Sequence, residues 1–139
     1  MKVLLDTNII IDIISKRDGY EESLQILRGC EIKRIDGYLT TTTVTDVMYI
    51  LRKHLSPERL RESMQTLMTV VDVAGIRKAD VLRAFSSDMK DYEDAVQAAC
   101  AKRIKADYIV TRNLKDFALS PVKALSPADL LGKMNVRGN

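Results

Sequence analysis

The sequence is poor in histidine and cysteine. Its single histidine, His54, follows Lys53 in a helical stretch, which argues against acid–base catalysis by histidine. The two cysteines, Cys30 and Cys100, lie in apolar helical contexts and lack the spacing of a metal site. We expect them to be buried, reduced thiols, so the sequence predicts a cytoplasmic protein.

The sequence also lacks a long apolar run and a phosphate-binding loop. None of its hydrophobic stretches approaches the roughly 20 residues of a membrane helix. Met1-Lys2 leads directly into apolar residues 3–5 rather than into a signal peptide. A Gly-x-x-x-x-Gly-Lys pattern is missing, which argues against ATP use. The net charge of +3 permits an anionic partner but falls short of a polybasic duplex binder.

What the sequence does contain fits one globular domain. Of its 139 residues, 46% are hydrophobic and 29% are charged, which is enough for a sizeable core. Apolar runs alternate with amphipathic stretches, and strands are predicted at 3–5, 37–41, 70–73, 106–110 and 122–125. This alternation predicts an α/β fold in which ligands bind beyond the carboxyl ends of parallel strands. We expect one domain over residues 1–139, with a frayed tail at 133–139.

One predicted helix combines an acidic first turn with a small, apolar body. It begins at Asp91-Tyr92-Glu93-Asp94 and continues through the alanine-rich residues 95–101, a composition that suits close packing on a sheet. Asp91 and Asp94 are three residues apart and share one face of this helix. They could cap the helix and complement its dipole, or they could point together into a binding site.

Further polar residues follow directly on predicted strands. Asp6 comes after the first strand, and Asn113 and Asp116 come after the strand at 106–110, so all should meet the acidic helix start at one sheet edge. Close carboxylates repel by about 4 kcal/mol per pair at an effective dielectric of about 20, and a divalent cation would neutralise them. Oxygen ligands without Cys or His favour Mg²⁺ or Mn²⁺, which support hydrolysis of phosphodiester bonds.

Three stretches of the sequence carry recognisable motifs: Leu5-Asp6-Thr7-Asn8, Asp91-Tyr92-Glu93-Asp94-Ala95 and Tyr108-Ile109-Val110-Thr111-Arg112-Asn113-Leu114-Lys115-Asp116-Phe117. Together they resemble PIN-domain ribonucleases, including the toxins of bacterial type II toxin–antitoxin pairs. The resemblance covers essentially the whole chain. It implies a three-layer α/β/α fold around a five-stranded parallel sheet, and an endoribonuclease that hydrolyses RNA with Mg²⁺ or Mn²⁺.

The resemblance also implies roles for single residues. The acids implied to hold the metal are Asp6, Asp46, Asp91, Asp94 and Asp116, of which Asp6, Asp94 and Asp116 are also implied to be catalytic. The residues implied to support them are Thr7, Thr111 and Asn113, and those implied to contact the RNA backbone are Arg112 and Lys115. The implied partners are an RNA substrate, an antitoxin protein and a second copy of the chain in a homodimer.

One residue departs from the family pattern. The family usually carries a Glu on the helix after the second strand, and the nearest match is Asp46, which is one methylene shorter. Asp46 is also three residues after Thr43, so it could instead complete a capping box at the helix start. If Asp46 only caps the helix, the metal site is weakened. The chain could then be a PIN-fold module that binds RNA or protein with an inactive site.

Two further expectations concern the remaining surface. The helices predicted over residues 43–71 form a methionine-containing hairpin, which we expect to bind a second copy or an inhibitor. Asp12 and Asp107 are expected to face solvent. A phosphatase of the haloacid dehalogenase type is disfavoured, because the second acid that it needs after the first strand is replaced by Asn8.

Overall fold

The apolar runs of the sequence form the five parallel strands of one sheet. The structure is a computed structural model that describes residues 1–136. Its elements, in chain order, are β1 (Lys2–Leu5), α1 (Thr7–Ser15), α2 (Tyr20–Glu31), β2 (Asp36–Thr40), α3 (Thr41–Leu51), α4 (Pro57–Leu67), β3 (Asp72–Ala74), α5 (Lys78–Phe85), α6 (Tyr92–Arg103), β4 (Tyr108–Val110), a 3₁₀ helix (Leu114–Phe117), β5 (Ala124–Leu125) and α7 (Pro127–Val136). The predicted α/β fold is confirmed.

The central position of β1 creates a crevice at the carboxyl edge of the sheet. The strand order is β3-β2-β1-β4-β5, and every neighbouring pair is parallel. The chain builds from β1 to β3 on one side and then returns to add β4 and β5 on the other. Leu5 of β1 lies beside Val110 of β4, so the segments that follow these strands diverge from adjacent points. Ligands bind at such switch points in open α/β sheets.

Helices cover both faces of the sheet. On one face, Val3 and Leu5 pack against a core supplied by α1, α2, α3, α4 and α7. On the other face, Leu4 and Ile109 pack against residues of α5, α6 and the 3₁₀ helix. The three-layer arrangement is therefore confirmed. Within residues 1–136, each helix is too short or too polar to cross a membrane.

The central helix α6 is enclosed along most of its length. Residues 95–101 are all buried, and their small side chains allow the helix to lie close to the sheet. At its C-terminal end, Arg103 pairs with the fully buried Asp80 of α5, with 3.0 Å between Nε and Oδ1. The body and end of α6 therefore fix the position of its acidic first turn.

The start of α3 differs from the prediction. Thr40 is the N-cap of this helix, because its Oγ1 accepts a 3.1 Å hydrogen bond from the backbone N–H of Thr43. The helix begins two residues earlier than expected, and Asp46 lies beyond its first turn. The predicted capping box between Thr43 and Asp46 is wrong.

Other boundaries also differ from the prediction. Strand β4 covers Tyr108–Val110 rather than 106–110, and β5 covers Ala124–Leu125 rather than 122–125. The third strand lies at Asp72–Ala74 rather than at 70–73. Helix α7 continues through Val136, and the remainder of the predicted frayed tail, 137–139, lies outside the described residues.

Candidate active site

Asp6 is held in a fixed position at the end of β1. Its buried carboxylate accepts hydrogen bonds from the Thr7 backbone N–H at 2.8 Å, from Gln97 Nε2 at 3.0 Å and from Thr111 Oγ1 at 2.8 Å. These donors belong to α1, to α6 and to the segment after β4. One carboxylate therefore connects both sides of the crevice to the central helix, and its orientation is determined by three donors.

A chain of polar side chains supports Asp6 from behind. Gln97 accepts a 3.3 Å hydrogen bond from Thr43 Oγ1, and the hydroxyl groups of Thr43 and Thr7 are 2.9 Å apart. Thr40 donates a further bond to Thr43 at 3.2 Å. Gln97 and Thr43 were missed in the sequence. A signal was present for Gln97, because it is the polar residue of the apolar stretch 95–101 and follows Asp94 by three positions.

The two aspartates of the acidic turn have different surroundings. Asp91 is the N-cap of α6, and its Oδ1 accepts a 2.9 Å hydrogen bond from the Asp94 backbone N–H. Asp94 is half-buried, and this burial together with the charges of Asp91, Asp6 and Asp116 raises the pKa of its carboxyl to about 7. Asp91 therefore caps the helix, whereas Asp94 faces the other acids of the crevice.

Glu93 lines the same cavity as Asp46 and was missed as a site residue. A hydrogen bond with the Asp46 side chain, followed by burial and the charges of Asp46, Asp91 and Asp94, raises the pKa of Glu93 to about 7. Asp46 and Glu93 line the same cavity, so Asp46 of α3 belongs to the acidic site instead of the helix cap.

The acids line one open cavity of about 460 Å³. Its six carboxylate residues are Asp6, Asp46, Asp91, Glu93, Asp94 and Asp116. Its other lining residues are Thr7, Asn8, Tyr49, Ile50, Gln97 and Asn113. The structure thus brings all five predicted metal-binding acids together, with Asn113 and Thr7 at the same cavity. Thr111 lies behind Asp6, and its Oγ1 accepts a 3.0 Å hydrogen bond from the Asn113 backbone N–H.

The two predicted RNA contacts lie outside this lining. Lys115 is exposed on the 3₁₀ helix. Arg112 is engaged in an ion pair, with 2.7 Å between its Nε and Oδ2 of Asp12. Asp12 is buried, and burial raises the pKa of its carboxyl although the charges of Arg112 and Arg17 oppose this. The expectation that Asp12 faces solvent is wrong, because the segment after β4 covers it. Asp107 is exposed, as predicted.

The donor chemistry of the cavity fits a hard divalent cation. As the side chains stand within residues 1–136, no three acidic, histidine or cysteine groups are arranged to ligate one ion. However, Mg²⁺ commonly keeps several waters and binds through one or two carboxylates, so it does not need a closed protein cage. Burial, together with the charges of the neighbouring acids, raises the pKa of Asp94, and such an ion would offset this crowding of negative charge.

The fold and the cavity define an α/β protein with a carboxylate site at the carboxyl edge of a parallel sheet. Residues 2–115 match the family model of the PIN domain. The chain therefore belongs to the PIN-domain family, as its motifs predicted. No curated protein matches the sequence.

Solved structures of toxin–antitoxin systems have the same fold. A toxin–antitoxin complex from Klebsiella pneumoniae matches with 26% identity and a TM-score of 0.70, covering 90% of this chain and 97% of that one. VapBC2 from Rickettsia felis, bound to a DNA fragment from its promoter, matches with 18% identity and a TM-score of 0.71, covering 91% and 98%. The sarcin–ricin loop cleaving toxin VapC20 of Mycobacterium tuberculosis matches with 13% identity and a TM-score of 0.61, covering 77% and 86%.

Proposed function

We propose that this protein is an endoribonuclease that hydrolyses RNA phosphodiester bonds with Mg²⁺ or Mn²⁺ and acts as the toxin of a type II toxin–antitoxin pair. The observation that carries the proposal is the convergence of six carboxylates on one cavity at the switch point of the sheet. The PIN-domain family and the solved toxin–antitoxin structures support the same function. We expect this activity in the cytoplasm, where the buried cysteines would stay reduced.

In this proposal, Asp6, Asp94 and Asp116 hold the metal, directly or through its waters. The bound ion would supply an activated water and stabilise the leaving oxygen of the cleaved phosphodiester. Gln97, Thr7 and Thr111 orient Asp6 through the hydrogen bonds described above, so this carboxylate needs little rearrangement. The pKa of Asp94 is about 7, so about half of its carboxyl groups carry a proton at neutral pH in the absence of metal, and metal binding would release that proton.

Asp46 and Glu93 form the outer part of the proposed site. Asp46 stands where the family usually has a Glu, and its side chain is one methylene shorter. Glu93 reaches this carboxyl from α6, so the cavity has a longer acidic side chain beside Asp46. We infer that the two acids together replace the usual Glu. Asp91 contributes charge to the rim of the cavity while it caps α6.

The antitoxin partner of this proposal fits a second groove. A groove of about 640 Å³ lies between α1, α2 and α4, with an apolar floor that includes Ile10, Ile14 and Leu27 and charged residues that include Arg59 and Glu62. An amphipathic helix binds such a groove through its apolar face. One wall of this groove is α4, which belongs to the hairpin 43–71 that was predicted to bind a partner. The other wall is formed by α1 and α2. A homodimer stays a separate prediction.

The direct test compares wild type with Asp6→Asn on single-stranded RNA in Mg²⁺, Mn²⁺ and EDTA. Wild type should cut RNA with either metal and melt at a higher temperature than in EDTA, since an ion that binds only the folded state stabilises it. Asp6→Asn should cut at least roughly 100-fold more slowly, which is about 2.7 kcal/mol of barrier. The control is Asp18→Asn, the same change at an exposed acid between α1 and α2, which should behave as wild type. Intact RNA together with equal melting curves in metal and EDTA would instead identify a binding module with an inactive site.

A further inference from the structure

A row of side chains on α3 leads out of the acidic cavity. Asp46, Tyr49 and Ile50 all line the cavity, and their spacing of three and four residues places them on one face of the helix. The Tyr49 ring is 65% exposed. Arg52 lies just past the end of the helix, and its guanidinium carbon is 3.7 Å from the centre of the Tyr49 ring. The row therefore passes from an acid through an aromatic ring to a cation.

This order matches the chemistry of a nucleotide chain. The acids, with their metal, would bind the phosphate that is cleaved. The Arg52 guanidinium covers one face of the Tyr49 ring, so the opposite face would take the base. One Arg52 nitrogen, Nη1, donates to the Tyr49 carbonyl, and the other N–H groups suit a second phosphate. Aromatic side chains beside a positive charge are the usual surface for unpaired bases, because every base has a face that can stack. A base inside a duplex cannot present its face, since its neighbours already cover it.

We propose that Tyr49 stacks on the unpaired base of the nucleotide next to the cleaved phosphate, and that Arg52 contacts the phosphate of that nucleotide. This inference rests on the proposed function and adds the residue that contacts a base of the substrate, which requires an RNA with an accessible base at this position. A second copy of the chain is the competing occupant of the same exposed surface. The positive charge of Arg52 and the exposed Lys53 favours RNA, whose backbone is anionic.

The test uses a short single-stranded RNA that wild type cuts at one position. Tyr49→Ala should lower kcat/KM by roughly 5- to 100-fold, mainly through KM, whereas Tyr49→Phe should stay within about twofold of wild type. Replacing the stacked nucleotide by an abasic one should reduce cleavage by wild type to the same extent, yet leave Tyr49→Ala unchanged, because the two changes remove one interaction. A 2-aminopurine at that position should lose fluorescence on mixing with wild type but not with Tyr49→Ala. Ile32→Ala, which removes a side chain of equal exposure outside the cavity, is the control.

Several results would overturn this inference. One is a Tyr49→Ala variant with the kcat/KM of wild type. Another is a Tyr49→Ala variant whose kcat/KM falls on the abasic RNA by the same factor as that of wild type. A third is a Tyr49→Ala variant that changes from dimer to monomer in sedimentation while it cuts the intact and the abasic RNA as wild type does. That result would assign the surface to a second copy. If wild type leaves all RNA intact in Mg²⁺ and Mn²⁺, the proposed function itself fails. If wild type cuts RNA and Tyr49→Ala cuts it equally well, only the stacking site is ruled out and the proposed function stands.

Discussion

Gln97 donates a 3.0 Å hydrogen bond from its Nε2 to Oδ1 of Asp6, and both side chains are buried. The same amide accepts a bond from Thr43 through its Oε1. One side chain of α6 therefore orients the carboxylate at the end of β1 and the hydroxyl at the start of α3. These two interactions lead to the first prediction.

We predict that Gln97→Met destabilises the protein by about 1–3 kcal/mol and slows RNA cleavage. Methionine has a similar length but cannot donate to Asp6 or accept from Thr43, so two buried polar groups lose a partner. Urea unfolding measures the stability, and cleavage rates measure the orientation of Asp6. The control is Gln25→Met on the exposed face of α2, which should change stability by less than about 0.5 kcal/mol. If both variants behave alike, the amide of Gln97 does not orient Asp6.

A second prediction concerns the charge of Asp94. Its carboxyl has a pKa of about 7 in the folded protein against an ordinary value of 3.8. The proton stabilises the folded state fully below pH 4, and this stabilisation is lost as the pH rises to about 7 and above. Asp94→Asn should therefore match wild type near pH 4 and become the more stable protein at pH 8, when both are measured in EDTA. It should also lose most stabilisation by Mg²⁺ and cut RNA at least roughly 100-fold more slowly.

Asp129 offers a matched control for Asp94. It stands at the third position of α7, with its backbone N–H bonded to the N-cap Ser126 at 3.1 Å, which repeats the geometry of Asp94 and Asp91. Asp129→Asn should cost up to about 1 kcal/mol through the helix dipole. It should leave metal binding unchanged. An Asp94→Asn variant that loses stability in the same way and still cuts RNA would make Asp94 an ordinary first-turn acid.

A third prediction separates the two arginines near Asp12. Arg112→Gln should destabilise the protein by about 1–3 kcal/mol at pH 8, because it leaves a buried carboxylate without its 2.7 Å partner. The loss should be smaller at pH 5, since burial already raises the pKa of Asp12 and the unpaired carboxyl can take up a proton. Arg17→Gln removes a weaker contact of 4.0 Å and should cost less than about 1 kcal/mol. Equal losses for the two variants in urea unfolding would contradict the assigned pairing.

The sequence predicted the fold and most acids of the cavity for a simple reason. Each strand end is marked by a change from apolar to polar residues, as at Leu5-Asp6 and Val110-Thr111. Parallel strands bring such changes to one edge without any knowledge of the tertiary contacts. The alanine-rich body of α6 likewise identified the helix that packs closest to the sheet.

The residues that were misjudged depend on contacts between distant segments. Four threonines in succession, Thr40 to Thr43, could each cap α3, and only the end of β2 determines that Thr40 does so. Asp12 was read as solvent-facing because its partner Arg112 is 100 positions away. Glu93 was overlooked because Asp91 and Asp94 share a helix face, whereas its partner Asp46 approaches from another helix.

The enclosure of α6 gives this helix two parts of unequal local stability. Residues 95–101 are buried, so we expect their amide hydrogens to exchange with solvent mainly when the whole domain unfolds. The first turn carries the exposed residues Asp91, Tyr92 and Glu93, so we expect its amide hydrogens to exchange faster than those of the buried body. An ion bound there would order one helical turn while the rest of the molecule stays as it is. If the protein is the metal-dependent nuclease proposed above, binding of the metal would complete the site without a change of fold.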